Sequence, residues 1–125
     1  MKLRFDKNSI RLRVKKSDIE ILRSGHSIRE TVCFPGAAFN YGLLISKDTS
    51  GVSARMEWPF IEVTIPEGIA TAWINSDETG VYQTIAVGNN QSLDIIIEKD
   101  FPCKDQPGED QSDLFGELSE KEQQC

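Results

Sequence analysis

The sequence has few of the residues from which catalytic and metal-binding sites are usually built. It contains one histidine, His26, and three cysteines, Cys33, Cys103 and Cys125. No two of these residues lie two to four positions apart, which is the usual spacing of zinc ligands. The chain also lacks a nucleophile elbow, a P-loop and a dinucleotide-binding glycine run. We therefore expect no cofactor and no metal site, unless the fold itself brings His26, Cys33 and Cys103 together. The sequence favours a protein that is not an enzyme.

Long apolar stretches are absent as well. No strongly apolar run is longer than that of residues 95–97, whereas a membrane-spanning helix needs about 20 residues. The first six residues alternate charged and apolar side chains, unlike the apolar centre of a signal peptide. We predict a cytoplasmic protein that makes no membrane contact and keeps its cysteines as reduced thiols.

Charge is plentiful and is sorted along the chain. Residues 1–30 carry a net charge of +5, residues 98–125 a net charge of −6, and the whole chain −6. A basic beginning and an acidic end on so short a chain suggest that the two meet or that each binds a partner. The overall negative charge argues against nucleic acid as that partner.

Apolar residues recur at every second position through most of the chain, which is typical of strands with one face in a core. Leu3 and Phe5 precede a turn, and Ile10, Leu12 and Val14 follow it, so these residues predict a hairpin with one buried face. Because such regular alternation is characteristic of antiparallel sheets, it predicts seven to eight antiparallel strands.

Two interruptions of this pattern predict short helices. Ser17 and Glu20 have the spacing of a capping box, which predicts a helix over residues 17–24. Pro66 suits the first position of a second helix that ends near Asn75. The residues of this helix predicted to face the core are Ile69, Ala72 and Trp73. The predicted fold class is α+β, a strongly curved or barrel-like antiparallel sheet with two short helices.

The periodic pattern ends at Phe101. The residues that follow are mostly acidic or small and polar, and bury too little apolar area to offset conformational entropy. We predict one globular domain over residues 1–103 and an acidic, flexible tail over residues 104–125. Within the tail, Leu114, Phe115 and Leu118 have the spacing of a short amphipathic anchor for another surface.

The predicted hairpin collects positive charge on the face that points away from the core. The members of this basic face are Lys2, Arg4, Arg11, Arg13 and Lys15. Because like charges opposite each other across strands are destabilising, three explanations stay open. The side chains splay into solvent, the acidic tail folds back onto them, or an external anion binds. An anion would be held by Arg11 and Arg13.

Two further groups are candidate sites. Trp58 and Phe60 flank Pro59 at a predicted hairpin tip and form a candidate interaction patch, unless they plug the end of the sheet. Glu98 and Asp100 stand two residues apart at the end of the last strand. A carboxylate pair acts as acid and base if one member is desolvated, and a solvated strand end is the alternative.

Several segments together resemble a small family of uncharacterised bacterial proteins. They are Asn8-Ser9-Ile10-Arg11-Leu12-Arg13, Phe34 with Phe39 and Tyr41, the run Glu98-Lys99-Asp100-Phe101-x-Cys103, and the acidic segment 109–115. The resemblance covers nearly the whole chain. It implies a small bacterial cytoplasmic protein of unknown function, and makes Glu98, Asp100 and Cys103 a candidate family-motif site.

Two functions are compatible with these features. The first is a non-enzymatic interaction module whose contacts are the basic face and the acidic tail. Its partner would be its own tail, an anionic ligand or another protein, met through Arg4, Arg11, Arg13 and Lys15. The alternative is a small barrel enzyme or ligand-binding protein for an anionic metabolite, which needs a concave pocket with converging polar groups.

Overall fold

A computed structural model describes residues 1–101 and 112–118, which form eight strands, two α-helices and one 3₁₀ turn. The strands are β1 (Lys2–Asp6), β2 (Ser9–Val14), β3 (Ile28–Phe34), β4 (Ala37–Ser46), β5 (Ser53–Glu57), β6 (Phe60–Pro66), β7 (Gly80–Gly88) and β8 (Gln91–Lys99). The helices are α1 (Lys16–Arg23) and α2 (Glu67–Ile74), and the 3₁₀ turn is Gly116–Leu118. Within these ranges no helix has the length and apolar character that a membrane span requires.

The strands divide into two four-stranded sheets, neither of which closes into a barrel. The first sheet has the order β1-β2-β8-β7, and the second has the order β3-β4-β6-β5. The predicted α+β class with two short helices is confirmed, whereas the single curved or barrel-like sheet is not. In each sheet two hairpins meet at the centre through strands that run parallel, β2 beside β8 and β4 beside β6. The prediction of purely antiparallel pairing is wrong, because alternation reports the burial of one face and carries no information about strand direction.

The two sheets pack on each other, with β1 crossing the second sheet. The carbonyl oxygen of Met1 accepts a 3.1 Å hydrogen bond from Tyr41 Oη of β4, and the Met1 ammonium lies 3.3 Å from Glu30 of β3. At the other end of β1, Phe5 lies in the same groove as Met56 of β5. Helices α1 and α2 contribute to the same apolar core. The most deeply buried apolar side chains are Leu12, Val14, Leu43, Val63, Ile65, Trp73, Ile95 and Ile97.

Helix α1 begins one residue earlier than predicted, because other groups cap its N-terminus. Lys15 is the N-cap, and its backbone N–H donates to the Asp18 carboxylate at 2.9 Å. Ser17, the predicted cap, lies inside the first turn, where its N–H and hydroxyl donate to the Asp113 carboxylate at 3.1 and 2.6 Å. The predicted capping box of Ser17 and Glu20 is therefore wrong, since distant Asp113 accepts the helix N–H instead.

Helix α2 follows Pro66 and ends at Ile74, with Asn75 as its C-cap, close to the prediction. The side chains that it buries are Ala70, Trp73 and Ile74. Trp73 is thus confirmed as a core residue, but Ile69 and Ala72 are exposed. Successive helical residues are rotated by about 100°, so a small error in the phase of a short helix moves residues out of the core.

Residues 112–118 pack against α1 and the end of β8. The N–H of Phe115 donates to the carbonyl oxygen of Asp100 at 2.7 Å. The centre of the Phe115 ring lies 5.7 Å from Lys16 Nζ and 5.6 Å from Lys99 Nζ. The apolar side chains that this docked segment buries are Leu114, Phe115 and Leu118. The predicted anchor thus packs on the protein's own domain, and the rest of the predicted tail, residues 104–111 and 119–125, lies outside the described residues.

Candidate functional site

The predicted basic face exists, and it contains two carboxylates, Glu98 of β8 and Asp100 just after it. The register of the first sheet aligns Lys2 with Arg13, and Arg13 with Glu98. Residues aligned across a sheet point to the same side. Arg4 and Arg11 form the adjacent row on this face. The parallel β2–β8 pair therefore brings acidic residues near the end of the domain onto the basic hairpin at its beginning.

Four close ion-pair contacts connect this face. Arg11 Nε lies 3.3 Å and Arg13 Nε lies 3.9 Å from Glu98 Oε1. Arg13 Nη1 lies 3.9 Å from Asp100 Oδ1, and Lys2 Nζ lies 3.2 Å from Asp100 Oδ2. We call this group the ionic network, and its members are Lys2, Arg11, Arg13, Glu98 and Asp100.

Both carboxylates of the ionic network are almost inaccessible to solvent. Glu98 is 4% exposed and Asp100 is 2% exposed. Tyr82 Oη donates a 3.0 Å hydrogen bond to Glu98 Oε2, and the Arg13 guanidinium lies 5.1 Å from the centre of the Phe101 ring. A solvated strand end, one of the two interpretations of Glu98 and Asp100, is therefore wrong. Glu98 in β8 and Asp100 just after it compensate the basic face. This agrees with the suggestion that the basic beginning meets the acidic end, although none of the three explanations named these two carboxylates.

The ionic network is suited to holding strands together. Each carboxylate contacts two cations, so an external anion would have to compete with Glu98 and Asp100 for Arg11 and Arg13. Among the described residues, Arg13 Nε, Glu98 Oε1 and Asp100 Oδ2 are buried without a hydrogen bond. Their contacts are therefore ion pairs without hydrogen-bond geometry, and a role of Arg11 and Arg13 in binding an anion stays a prediction.

The other two residues of the predicted basic face lie outside this network. Arg4 is exposed on β1, beside Arg11 in register, and has no ion-pair partner within the described part of the chain. Lys15 has left β2 and forms the N-cap of α1. Of the two, only Arg4 adds positive charge to the outer face of the first sheet.

Gly80 provides the space in which the Tyr82–Glu98 hydrogen bond forms. A Cβ atom at Gly80 would lie 2.6 Å from the Ile97 carbonyl oxygen, 2.9 Å from Glu98 Cγ and 3.0 Å from Tyr82 Oη. We expect Gly80→Ala to lower the free energy of unfolding by about 1–3 kcal/mol, because β7 must shift. Urea unfolding measures the effect. Gly51→Ala, where no atom lies within 4 Å, is the control, and equal midpoints for the two variants would contradict the expectation.

A second polar cluster surrounds the Met1 ammonium. It lies 3.1 Å from Asp18 Oδ2 and 3.3 Å from Glu30 Oε1. Tyr41 belongs to the same cluster through its hydrogen bond to the Met1 carbonyl oxygen. Burial raises the pKa of Tyr41, and the negative charges of Glu30 and Asp18 raise it further. The cluster joins the start of β1 to α1, β3 and β4.

The raised pKa of Tyr41 predicts a loss of stability at alkaline pH. An unfolded tyrosine titrates near pH 10.0, and the folded protein keeps this proton to higher pH. The resulting contribution to stability is present below about pH 10 and is lost as the pH rises through the folded pKa. We expect the free energy of unfolding to fall more steeply in this range for the unmodified protein than for Tyr41→Phe. Urea unfolding at a series of pH values measures both slopes, and equal slopes would disprove the linkage.

Lys99 is directed away from the ionic network although it lies between Glu98 and Asp100. It is buried, and its ammonium donates a 2.6 Å hydrogen bond to the carbonyl oxygen of Ser76. Burial lowers the pKa of Lys99, and nearby acidic residues, Asp77 foremost, oppose this change. The side chain fixes the end of β8 to the loop after α2 and lies against the docked segment.

The first sheet covers only part of the second sheet. β1 is an edge strand of the first sheet, and it crosses the second sheet at Glu30 and Tyr41. Among the described residues, no strand lies over the next row toward the β3–β4 turn. We call the apolar residues in and beyond this row the apolar overhang. They are Val32, Phe34, Trp58 and the half-buried Phe39, which also packs against the core. Val32, Phe34 and Trp58 are 41%, 58% and 71% exposed, and they lie on the face that forms the core elsewhere in the sheet.

The candidate patch of Trp58 and Phe60 divides between the two faces of the second sheet. The ring centres of Trp58 and Phe39 lie 6.0 Å apart, which places Trp58 in the apolar overhang. Phe60 aligns with Asn40, the residue next to Phe39. Since successive strand residues alternate between faces, Phe60 points to the opposite side, and the role of the patch stays a prediction.

Most of this surface was not predictable from the alternation of apolar residues. The alternation assigned Phe5 to the core, but Phe5 is exposed, as is Met56 beside it. Alternation indicates which face of a strand is apolar, but it does not indicate where the covering sheet ends. One signal was available: residues 31–46 contain no charged side chain, whereas exposed edge strands usually carry charges that prevent pairing.

A cleft of about 560 Å³ lies between the end of α1 and helix α2. Its apolar lining includes Leu22, Ile45 and Ile74. Its charged or titratable lining residues are Arg23, His26, Lys47 and Glu67. Lys47 Nζ lies 3.9 Å from Glu67 Oε2, and Arg23 pairs with Glu20. Neither Arg11 nor Arg13 lines this cleft.

The remaining predicted site residues do not form a cluster. Cys103 lies outside the described residues, so the geometry of the candidate family-motif site is given by Glu98 and Asp100. Cys33 is exposed on β3, and His26 is exposed in the loop after α1. Within residues 1–101 and 112–118, no group of three or more His, Cys, Asp or Glu residues is placed to hold a metal ion.

Comparison with known proteins gives one match. A family model described as "Family of unknown function (DUF7009)" matches residues 1–118. The match therefore extends through the docked segment. No curated protein and no solved structure matches the chain.

Proposed function

Because the chain belongs to DUF7009, a family of unknown function, we propose a function from the surface of its fold. It is a small, non-enzymatic interaction module of the cytoplasm that binds another protein through the apolar overhang. The observation that carries this proposal is the exposure of Val32, Phe34 and Trp58 on a core-type face. Contiguous exposed apolar surface of this kind typically marks an interaction site.

The composition of the apolar overhang supports a protein partner. Aromatic residues are enriched at the centres of protein interfaces and charged residues are depleted there. Trp58 and Phe34 supply the aromatic surface, and the stretch 31–46 supplies no charge. The apolar overhang, and not the basic face, is the main contact surface in this proposal, because Glu98 and Asp100 already contact Arg11 and Arg13.

Photo-crosslinking tests the proposal. Benzoylphenylalanine in place of Phe34, in cells that express the protein, should form an adduct with the partner on irradiation. The same substitution at Val87, an exposed apolar residue of β7, is the control. We expect the adduct at Phe34 to disappear when Trp58→Ser is added. Adducts of equal yield at both positions, or none at Phe34, would contradict the proposal.

The cleft beside α2 favours a second candidate function, the binding of a small anionic metabolite. Its volume falls within the range of ligand pockets. Arg23, His26 and Lys47 line it together with apolar residues. A ligand at 100 times its dissociation constant would stabilise the fold by about 2.7 kcal/mol. We expect inorganic phosphate or a phosphorylated metabolite to raise the melting temperature, and Lys47→Ala to reduce that rise. No rise with any phosphorylated compound would exclude this candidate.

A further inference from the structure

The apolar overhang lies next to a free strand edge of the first sheet. Among the described residues, β1 pairs with β2 alone. Residues 3–5 therefore present backbone N–H and C=O groups on the side away from β2, because only some of these groups bond to β2 in an antiparallel pair. This edge faces the row of the second sheet that β1 leaves uncovered. One additional strand beside β1 would extend the first sheet and cover the apolar overhang at the same time.

We propose that the partner contributes this strand. An extended segment of another protein pairs with the edge of β1, with apolar side chains at every second position and acidic side chains between them. This inference rests on the proposed function, since it specifies what occupies the apolar overhang. The mode of recognition is strand addition, in which backbone hydrogen bonds supply affinity and alternate side chains supply specificity.

The apolar side chains of the added strand face the second sheet. Adjacent strands lie about 4.8 Å apart, so the strand next to β1 lies over Val32, Phe39 and Trp58. These residues accept apolar side chains from only one face of the added strand. Because side chains alternate between faces, the partner needs apolar residues at every second position.

The other side chains of the added strand lie beside Arg4 on the outer face of the first sheet. Arg4 neighbours Arg11, whose charge Glu98 compensates. Arg4 itself has no carboxylate partner in the described ranges. An opposite charge on a neighbouring strand is stabilising and a like charge is destabilising. The outward residues of the partner strand are therefore acidic.

The chain's own remaining segments do not fit this description. Residues 102–111 and 119–125 contain no run in which apolar residues alternate with acidic ones. Pairing of β1 with β1 of a second copy, centred on Arg4, would place two arginines opposite each other, although Lys2 would lie opposite Asp6. Such a strand would also carry its own second sheet on the face that must cover the apolar overhang. A strand of a different protein avoids this repulsion and supplies the missing negative charge.

Selection from a displayed library of random peptides tests the inference with the full-length chain as bait. We expect the selected peptides to alternate apolar residues with Asp or Glu. Arg4→Glu and Trp58→Ala should each weaken a selected peptide roughly tenfold, and Arg4→Glu should shift the selection toward Lys and Arg. Val87→Asp, on the opposite edge of the first sheet, should leave the affinity unchanged.

The outcomes separate this inference from the proposed function. Peptides that depend on Trp58 but lack alternating apolar and acidic residues would overturn strand addition and leave the apolar overhang as the binding surface. Peptides that depend on Trp58 but bind the Arg4→Glu variant with unchanged affinity would do the same. Peptides that bind equally well to Trp58→Ala, or the absence of selected peptides, would overturn both.

Discussion

Replacing Glu98 by alanine is expected to lower the free energy of unfolding by about 3–5 kcal/mol, because it removes one partner of a buried ion pair. The variant leaves Arg11 and Arg13 without the carboxylate that lies 3.3 and 3.9 Å from their Nε atoms. It also leaves Tyr82 without its hydrogen-bond acceptor. Urea unfolding, followed by the fluorescence of buried Trp73 in a Trp58→Phe background, measures the loss.

Two control variants separate the effect of burial and the effect of charge on this loss of stability. Glu62→Ala removes a carboxylate whose partners, Arg29 and Arg55, are exposed, so its cost should stay below about 1 kcal/mol. Glu98→Gln keeps the volume and an acceptor for Tyr82 but removes the charge, and should fall between the two. If Glu98→Ala costs no more than Glu62→Ala, the ionic network does not hold the first sheet together.

Replacing Phe115 by alanine is expected to cost about 3 kcal/mol, the lower end of the range for deleting a buried aromatic ring. The ring packs beneath Lys16 and Lys99, and Leu114 and Leu118 are buried with it. Because the same segment carries Asp113, the variant should also release the cap of α1. Urea unfolding reports the loss of stability, and amide hydrogen exchange at Ser17 reports the loss of the cap.

Phe60→Ala is the matched control for this variant, since Phe60 is exposed on β6 and should change stability by less than about 1 kcal/mol. Unchanged exchange at Ser17 in Phe115→Ala would mean that Asp113 docks independently of the aromatic ring. Unchanged stability as well would mean that residues 112–118 are not an integral part of the domain.

Local patterns in the sequence predicted the local features of the fold. The alternation of Leu3 and Phe5 with Ile10, Leu12 and Val14 predicted the first hairpin, whose register aligns Leu3 with Leu12 and Phe5 with Ile10. The helix signals predicted the bounds of α1 and α2 within one residue, although the capping box that indicated α1 does not form. These features depend on neighbours in sequence, where periodicity and capping preferences act.

Features that depend on distant residues were not predictable in this way. The strand β8 could have paired with any exposed edge, and only its parallel alignment with β2 puts Glu98 beside Arg13 and buries the carboxylate. Likewise, Asp113 caps a helix from the far end of the chain, and Phe5 is exposed because of where the second sheet ends. The spacing of residues within one segment contains no information on which distant segments that segment contacts.

The candidate site also combines features that were predictable from local sequence with features that depend on distant residues. The distribution of charge suggested that the basic beginning and the acidic end, residues 98–125, meet. It did not identify Glu98 and Asp100 as the carboxylates that contact the basic face. The sequence identified Trp58 but joined it to Phe60 on the wrong face. Val32 and Phe34 lie on the face that forms the core elsewhere in the second sheet, and they are exposed because the first sheet is too narrow to cover them.

The parallel pairing of β2 with β8 has a consequence for how the chain folds during synthesis. The second sheet is built from one continuous stretch, residues 28–66, whereas the first sheet needs residues from both sides of that stretch. On the ribosome the second sheet can therefore assemble while the opening hairpin still lacks its central neighbour. Closure of the first sheet must wait for residue 99, and contacts of such long sequence separation form slowly. We expect the nascent hairpin, with its arginines not yet neutralised, to be the last part of the molecule to become protected.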